Sequence, residues 1–194
     1  VGRLRDAVLW RVVERMFAHC AATLGAPSLL VNNAGIIGKA GRLEDLDPAS
    51  LERTFAVNVF GAVACCRHAI SSMSRAHGGS GGVIVNISSV AAVLGSAGEY
   101  VHYAASKAAL EALTVGLAKE VGPEGIRVNA VRAGTTDTDI HVRSGNPDRP
   151  AMVARTAPLR RTAVPDDIAQ AVMWLASDEA SFVTGAVLSV SGGL

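Results

Sequence analysis

Apolar runs of strand length alternate along this chain with longer stretches that have the spacing of helices. The pattern predicts strands at residues 28–32, 83–88, 127–132 and 186–190, which read SLLVN, VIVNIS, RVNAVR and AVLSV. It predicts helices at residues 5–24, 47–76 with a break, 103–121 and 165–176. Parallel strands need crossover connections, and helices supply them. The order therefore predicts an α/β fold in which a doubly wound parallel sheet has helices on both faces.

Length and composition fit one domain of this kind. The 194 residues suffice for one sizeable hydrophobic core, and 49% of them are hydrophobic while 18% are charged. The net charge of +1 gives no electrostatic pattern for binding nucleic acid. Neither a signal peptide nor an uninterrupted apolar run of about 18 residues is recognisable, so we expect no membrane partner and a cytoplasmic location.

The residues that often bind metals give no signal in this sequence. Cys20, Cys65 and Cys66 lack the spacing of metal ligands and are interpreted as small hydrophobic residues in a reducing compartment. His102 and His141 could touch a substrate, but we interpret them as ordinary surface histidines. No cluster of histidine, cysteine and carboxylate residues stands out, so no metal site is predicted.

Small and polar residues follow the predicted strands at their carboxyl ends, where ligands bind in parallel sheets. Asn32-Asn33-Ala34-Gly35 follows the first strand, and its glycine allows a close backbone approach. Ser88 and Ser89 end the second strand, and Tyr103 opens the next helix. These groups are expected to share one cleft. The glycine-rich residues 78–82 precede a strand, so we interpret them as a flexible connection and not as a phosphate loop.

Tyr103 and Lys107 lie four residues apart in a predicted helix, so their side chains share one face. A nearby ammonium favours the ionised form of a phenol. Lowering the pKa of a phenol from about 10 by about three units requires roughly 4 kcal/mol, which only a close and partly desolvated charge supplies. Taken alone, the spacing also fits an exposed aromatic side chain beside a solvated lysine.

Six motifs occur in the order and approximate spacing of one enzyme family. They are NNAG at 32–35, NV at 58–59, NISS at 86–89, YAASK at 103–107, RVNAV at 127–131 and the closing PDDIAQAVMWLASDEASFVTGAVLSVSGG. In these motifs the chain resembles the short-chain dehydrogenase/reductase family over nearly its whole length. The resemblance implies a Rossmann-like fold, one domain over residues 1–194, and hydride transfer between NAD or NADP and a small-molecule carbonyl or alcohol.

The resemblance also assigns roles within the site. It implies that Tyr103 is the general acid and base, and that Lys107 assists it and binds the nicotinamide ribose. It implies that Ser89 holds the substrate oxygen and that Asn58 supports a water relay. Ser88 remains an alternative to Ser89, whereas Tyr100 is set aside because no lysine follows it four residues later. The residues expected to contact the cofactor are Asn32, Asn33, Ala34, Gly35, Tyr103, Lys107, Thr136 and Thr138.

The chain departs from the family pattern in three places. The family begins with a strand, a glycine-rich turn and a helix that receive the pyrophosphate, and nothing in this sequence matches them. We expect the N-terminal strands, on the order of 60 residues, to be absent from a partial or truncated chain. Ala133-Gly134 stands where the family usually has Pro-Gly, and Ser191 stands where it has aspartate.

Two further expectations concern motion and assembly. Residues 138–161 are polar and rich in glycine and proline, so we expect a mobile lid without firm helices. The helices that carry Asn58 and Tyr103 hold many small residues, and in the family the matching pair forms dimer contacts. We therefore expect a homodimer or homotetramer. The alternative to an enzyme is a non-catalytic or truncated scaffold that acts through association.

Overall fold

A parallel sheet of four strands forms the centre of the protein. The computed structural model describes the backbone of residues 2–194 and the side chains of residues 9–194. Within that part the strands lie in the sheet in the order of the chain, and every neighbouring pair is parallel. The predicted α/β class is therefore confirmed. The strands are β1 Leu29–Asn32, β2 Gly82–Ser89, β3 Ile126–Ala133 and β4 Val187–Val190.

Helices connect and cover these strands, and their bounds lie within a few residues of the predicted ones. Helix α5 begins two residues earlier than predicted, and the expected break in residues 47–76 is a π-helical turn, Ala56–Gly61. The helices are α1 Gly2–Leu24, α2 Pro48–Phe55, α3 Ala62–Met73, α4 Ala91–Leu94, α5 Val101–Val121, α6 Ile140–Arg143, α7 Arg149–Thr156 and α8 Pro165–Ala176. Short 3-10 turns occupy Leu43–Asp45, Arg75–His77, Gly122–Glu124 and Asp178–Ala180.

Alternate residues of β2 pack against helices on opposite faces of the sheet. Ile84 is fully buried in a cluster that includes Met73 of α3 and Val121 of α5. Val85 is buried in a second cluster with Leu175 of α8. Side chains alternate along a strand, so a run of apolar residues serves two hydrophobic cores at once. The sheet is consequently covered by α3 and α5 on one face and by α8 on the other.

The segment of residues 138–161 differs from its prediction. Instead of lacking firm helices it contains α6 and α7. Helix α7 carries Pro150 in its first turn, where the fixed backbone angle of proline favours a helix and its missing N–H costs nothing. The proline that suggested a loop is thus part of a helix start.

The glycine-rich residues 78–82 form a defined turn and not a loose connection. The backbone N–H groups of Gly79 and Gly81 donate hydrogen bonds to the carbonyl oxygens of Ser74 and Met73. A Cβ atom at Gly79 would lie 2.4 Å from the Met73 carbonyl oxygen, so only glycine fits there. The turn brings the end of α3 to the start of β2, as the position of the glycines before a strand suggested.

One helical stretch is long and apolar enough to raise the question of a membrane. Pro48–Met73 has 26 residues and a mean hydropathy of 1.2 in its most apolar window. A third of that window (33%) is buried inside the protein, and core helices of soluble proteins meet the same criteria of length and composition. The absence of a membrane partner stays a prediction.

Candidate active site

A cavity of about 580 Å³ opens where β1, β2 and β3 end. Asn33 lies beside it just after β1, Ser89 at the end of β2 and Gly134 just after β3. The first turns of α8 and residues of α6 and α7 complete its wall. The carboxyl ends of parallel strands are the usual place for a ligand in such a sheet. The predicted cleft is therefore present, and two helices of the expected lid contribute to it.

Tyr103 and Ser89 meet at this cavity. The Ser89 hydroxyl lies near the phenol of Tyr103 and lowers its pKa, and both residues line the cavity. The Ser88 hydroxyl is buried and donates to Glu111 Oε1 at 2.8 Å, away from the phenol. Neighbouring residues of a strand point to opposite sides, so the two serines have different partners. Of the two alternatives, the structure brings Ser89 to Tyr103.

Lys107 is buried beside the tyrosine, with only 4% of its surface exposed. Its Nζ donates to the backbone oxygen of Ile87 at 2.7 Å and lies 5.8 Å from the centroid of the Tyr103 ring. Burial lowers the pKa of Lys107 from 10.5 to about 8. An ammonium has three donors, and the described bond to Ile87 uses one of them. The remaining donors, at the wall of the cavity, suit the hydroxyls of a nicotinamide ribose.

The pKa of Tyr103 contradicts one expectation from the sequence. Burial raises the pKa of this phenol, and it outweighs the nearby Ser89 hydroxyl and the positive charge of Arg149, which lower it. The expected lowering by Lys107 is not found, since the charge that lowers the pKa of this phenol is that of Arg149. Tyr103 is therefore a protonated phenol in this structure, ready to donate its proton.

Asn58 occupies the π-helical turn between α2 and α3 and is 1% exposed. Its Oδ1 accepts from the backbone N–H of Ile36, and its Nδ2 donates to the Ile36 carbonyl and to Ser106 Oγ, all at 2.9 Å. A Cβ atom at Gly35 would lie 3.3 Å from Lys107 Nζ and 3.5 Å from Asn58 Oδ1. Both amide donors of Asn58 are thus used inside the protein. The side chain fixes the loop after β1 against α5, and its part in a water relay stays a prediction.

Replacing Asn58 by leucine is expected to destabilise the fold by about 3–5 kcal/mol, because each buried polar group left without a partner costs about 1–3 kcal/mol. The groups left unpaired are the backbone N–H and carbonyl of Ile36, while the Ser106 hydroxyl loses one bond and keeps its donation to the Tyr103 carbonyl. Urea denaturation measures the change. Ser106→Ala, which removes one of these bonds, should cost about 1 kcal/mol. A cost below that value for Asn58→Leu would contradict the structural role.

The NNAG residues divide between two environments. Asn33 and Gly35 line the cavity, whereas Ala34 is exposed and does not. Asn32 Nδ2 donates to Asn86 Oδ1 at 2.8 Å and to the sulfur of Cys66 at 3.3 Å, on the side of α3. The Asn32 side chain is therefore directed to the α3 side of the sheet, and a contact of this residue with a cofactor stays a prediction. The alternation along β1 turns this side chain away from the cavity.

The loop after β3 brings both predicted threonines to the cavity. Thr136 and Thr138 line it, and the Thr136 hydroxyl donates to the carbonyl of Gly134 at 3.1 Å. Gly134 is packed tightly, since a Cβ atom there would lie 2.7 Å from the Cα atom of Ser191. The loop is thus fixed although it carries Ala133 in place of proline. A contact of these threonines with the nicotinamide stays a prediction.

Sequence reasoning missed Arg149 of the cavity wall and set Tyr100 and His141 aside, although both line the cavity. Tyr100 is 2% exposed, and His141 is buried rather than on the surface as expected. Tyr100 is the N-cap residue of α5, and its place directly before the helix that carries Tyr103 could have signalled it. His102 is also buried, contrary to expectation, but it packs against Gly38 and Thr54 and does not line the cavity.

Comparisons with known proteins identify the family of this chain. A family described as "Enoyl-(Acyl carrier protein) reductase" matches residues 6–194. The oxidoreductase YgfF of Escherichia coli (strain K12) is 48% identical over 164 residues, which are 84% of this chain and 66% of that protein. Cis-4-hydroxycyclohexanecarboxylate dehydrogenase of Sinomonas cyclohexanicum is 39% identical over 93% of this chain and 71% of its own length. The chain thus spans about two thirds of the length of such relatives.

Solved structures extend the likeness to three dimensions. A blue fluorescent protein from a metagenomic library, in complex with NADPH, has a TM-score of 0.82 and 35% identity, covering 97% of this chain and 71% of its own. A short chain dehydrogenase/reductase family protein has a TM-score of 0.77 and 43% identity, covering 91% of this chain and 71% of its own. This chain belongs to the short-chain dehydrogenase/reductase family of NAD(P)-dependent oxidoreductases.

Proposed function

We propose that this protein transfers a hydride between NAD or NADP and a small-molecule carbonyl or secondary alcohol. The observation that carries the proposal is the meeting of three side chains at one cavity. The phenol of Tyr103 lies beside the Ser89 hydroxyl, and the buried ammonium of Lys107 lies beside the same ring. Developing negative charge on a carbonyl oxygen needs a proton and hydrogen-bond donors, and this arrangement offers both.

The residues divide the work as follows. The bound cofactor supplies or accepts the hydride at the substrate carbon. Ser89 positions the substrate oxygen, and Tyr103 gives that oxygen its proton in reduction or takes it back in oxidation. Lys107 holds the cofactor ribose with its free donors and places a positive charge near the phenolate that forms. Apolar side chains such as Ile87, Ile168 and Val172 line the same cavity and keep bulk water away.

The test is a titration of the chain with NADH and NADPH. Trp174 lies on α8 beside Met173, which lines the cavity, so its fluorescence can report binding. Saturable binding, followed by loss of the reduced nicotinamide absorbance when ketones are added, is the expected result. Binding without turnover of any ketone would refute the enzymatic proposal. The absence of both cofactor binding and ketone turnover would favour a scaffold that acts through association.

We also propose a homodimer or homotetramer assembled through α5 and α3. The exposed side of α5 carries small residues at helical spacing, among them Ala105, Ala108 and Ala112, flanked by Val101 and Val115. Small side chains permit close helix packing, and exposed valines favour burial. Sedimentation velocity at micromolar concentration tests this, and a monomer would refute it. A cytoplasmic location without membrane partners is proposed as well, and the net charge of +1 supports the absence of a nucleic-acid partner.

A further inference from the structure

One end of the cavity carries polar groups for which hydride transfer has no use. Tyr100 lines the cavity, and its hydroxyl is buried without a hydrogen-bond partner in the described part of the chain. The side chain is 2% exposed, so solvent does not satisfy this hydroxyl either. Leaving a buried polar group unpaired costs folding free energy, and native structures do so rarely. The Tyr100 hydroxyl therefore has the properties of a group that a ligand completes.

A guanidinium lies against the same tyrosine. Arg149 Cζ is 5.6 Å from the centroid of the Tyr100 ring, and Arg149 Nη1 donates to Glu99 Oε2 at 2.7 Å. The aromatic face and the carboxylate together fix the plane of the guanidinium. A guanidinium has five N–H donors, and the bond to Glu99 is the one hydrogen bond of this side chain among residues 9–194. Arg149 thus presents free, preoriented donors to the cavity that it lines.

The charges at the wall of the cavity favour an anion. Among the described residues, Lys107 and Arg149 are the charged side chains that line it, and no carboxylate does. Lys107 is bound to Ile87 and serves the catalytic end. The charge of Arg149 lowers the pKa of both Tyr103 and His141, which shows that its field reaches the reacting phenol. Arg149 is therefore the cation left for a substrate.

We infer that the substrate carries a carboxylate, bound by the Arg149 guanidinium and the Tyr100 hydroxyl, while its carbonyl or alcohol meets Ser89 and Tyr103. Arginine binds carboxylates with paired N–H donors, a geometry that lysine does not match. Tyr100 is the N-cap residue of α5 and Tyr103 lies in the first turn of that helix, and both line the same cavity. One small molecule in this cavity can therefore place its carboxylate at Tyr100 and its reacting carbon at Tyr103. This inference rests on the proposed function and names the substrate class of the same site.

His141 is not part of the carboxylate site. Its Nε2 lies 3.1 Å from the backbone oxygen of Thr136, an acceptor, so Nε2 carries the proton of the neutral ring. Nδ1 is then an acceptor, and it is buried without a partner in the described residues. An acceptor repels a carboxylate and suits a donor such as a hydroxyl. The carboxylate is accordingly assigned to the side of Arg149 and Tyr100.

The experiment compares keto acids with their neutral esters. 4-Oxopentanoate, 5-oxohexanoate and 3-oxocyclohexanecarboxylate are titrated into the chain by calorimetry, each beside its methyl ester. At least one acid is expected to bind about tenfold or more tightly than its ester, the usual strength of a charge-assisted hydrogen bond. Arg149→Gln should abolish this preference, and Arg149→Lys should restore it in part. Equal binding of every acid and its ester overturns the inference.

Three further variants sharpen the test. Tyr100→Phe should weaken the binding of the acid several-fold and leave the ester unchanged, since it removes only the hydroxyl. Glu99→Gln should tighten acid binding, because it removes the carboxylate that competes for Arg149. Arg143→Gln is the matched control: Arg143 lies on α6, 81% of its side chain is exposed, and it does not line the cavity. An effect of Arg143→Gln as large as that of Arg149→Gln would overturn the inference in favour of a general effect of charge.

Binding and turnover separate this inference from the proposed function. Selective binding of a keto acid without oxidation of NADH or NADPH would uphold the carboxylate site and refute the enzyme. Reduction of esters as efficiently as acids would uphold the enzyme and refute the site. An Arg149→Gln variant that weakens NADPH binding and leaves the keto acids unaffected would assign the guanidinium to a cofactor phosphate and overturn the inference.

Discussion

Replacing Tyr103 by phenylalanine is expected to lower kcat by about 10²–10⁴-fold, the usual contribution of a general acid or base. The change removes the phenol hydroxyl that lies beside Ser89 at the cavity and holds a proton the substrate oxygen could accept. The apolar ring stays, so the packing of α5 is preserved. Initial rates of ketone reduction, measured with NADH and with NADPH, give the result.

Two controls distinguish lost chemistry from lost structure. The thermal midpoint of Tyr103→Phe should stay within a few degrees of the parent, because the substitution removes only a hydroxyl group. Tyr100→Phe, one helical turn away, should keep kcat and raise KM for a keto acid. If Tyr103→Phe retains full activity, or if Tyr100→Phe loses kcat to the same extent, the assignment of the general acid is wrong.

The periodicity of the sequence was enough to predict the sheet and its helices. Strand β2 shows why: Ile84 and Val85 are both apolar because α3 and α5 cover one face and α8 covers the other. The polarity of each residue indicates whether its side chain is buried, and burial repeats with the period of the strand or helix. A break within residues 47–76 was also expected, although the sequence did not show where it lies or that it is a π-helical turn.

Side-chain direction at the site was harder to predict. Whether Asn32 or Asn33 faces the cavity depends on which side of β1 the helices occupy, and that is a property of the whole sheet. Ser88 and Ser89 posed the same problem at the end of β2, and there the resemblance to a family gave the residue that the structure brings to Tyr103. The local sequence shows that alternate side chains of a strand lie on the same face of the sheet. It does not show which of the two faces meets a distant cavity.

Contacts between distant parts of the chain were not predictable at all. Arg149 and Glu99 are 50 residues apart, and their pairing exists only because α7 folds back over the start of α5. The same holds for the pKa of Tyr103. The spacing to Lys107 was read correctly, but the burial that raises the pKa of the phenol comes from the walls of the cavity. The spacing along the chain identified Lys107 as a neighbour of Tyr103, but it did not indicate how deeply the phenol is buried.

Replacing Lys107 by methionine is expected to stabilise the fold at neutral pH while it removes activity. The pKa of Lys107 is about 8 in the folded protein and 10.5 in its ordinary state, so below pH 8 burial of the charge costs about 3 kcal/mol. Methionine avoids this cost and loses the hydrogen bond to Ile87, worth about 1 kcal/mol. The net gain is about 2 kcal/mol at pH 7. Turnover should fall about a hundredfold or more, because a positive charge beside the reacting phenol is lost.

The lowered pKa of Lys107 determines how the stability of the parent changes with pH. Between pH 8 and 10.5 the unfolded chain keeps the proton on Lys107 that the folded protein has released, so the stability of the parent rises with pH across that window. Lys107→Met removes this rise, so the variant should be more stable than the parent by about 2 kcal/mol at pH 7, whereas near pH 10.5 the parent should be slightly more stable because it keeps the bond to Ile87. Urea denaturation at both pH values measures the difference. A methionine variant less stable than the parent at pH 7 would show that the buried ammonium is better solvated than its 4% exposure indicates.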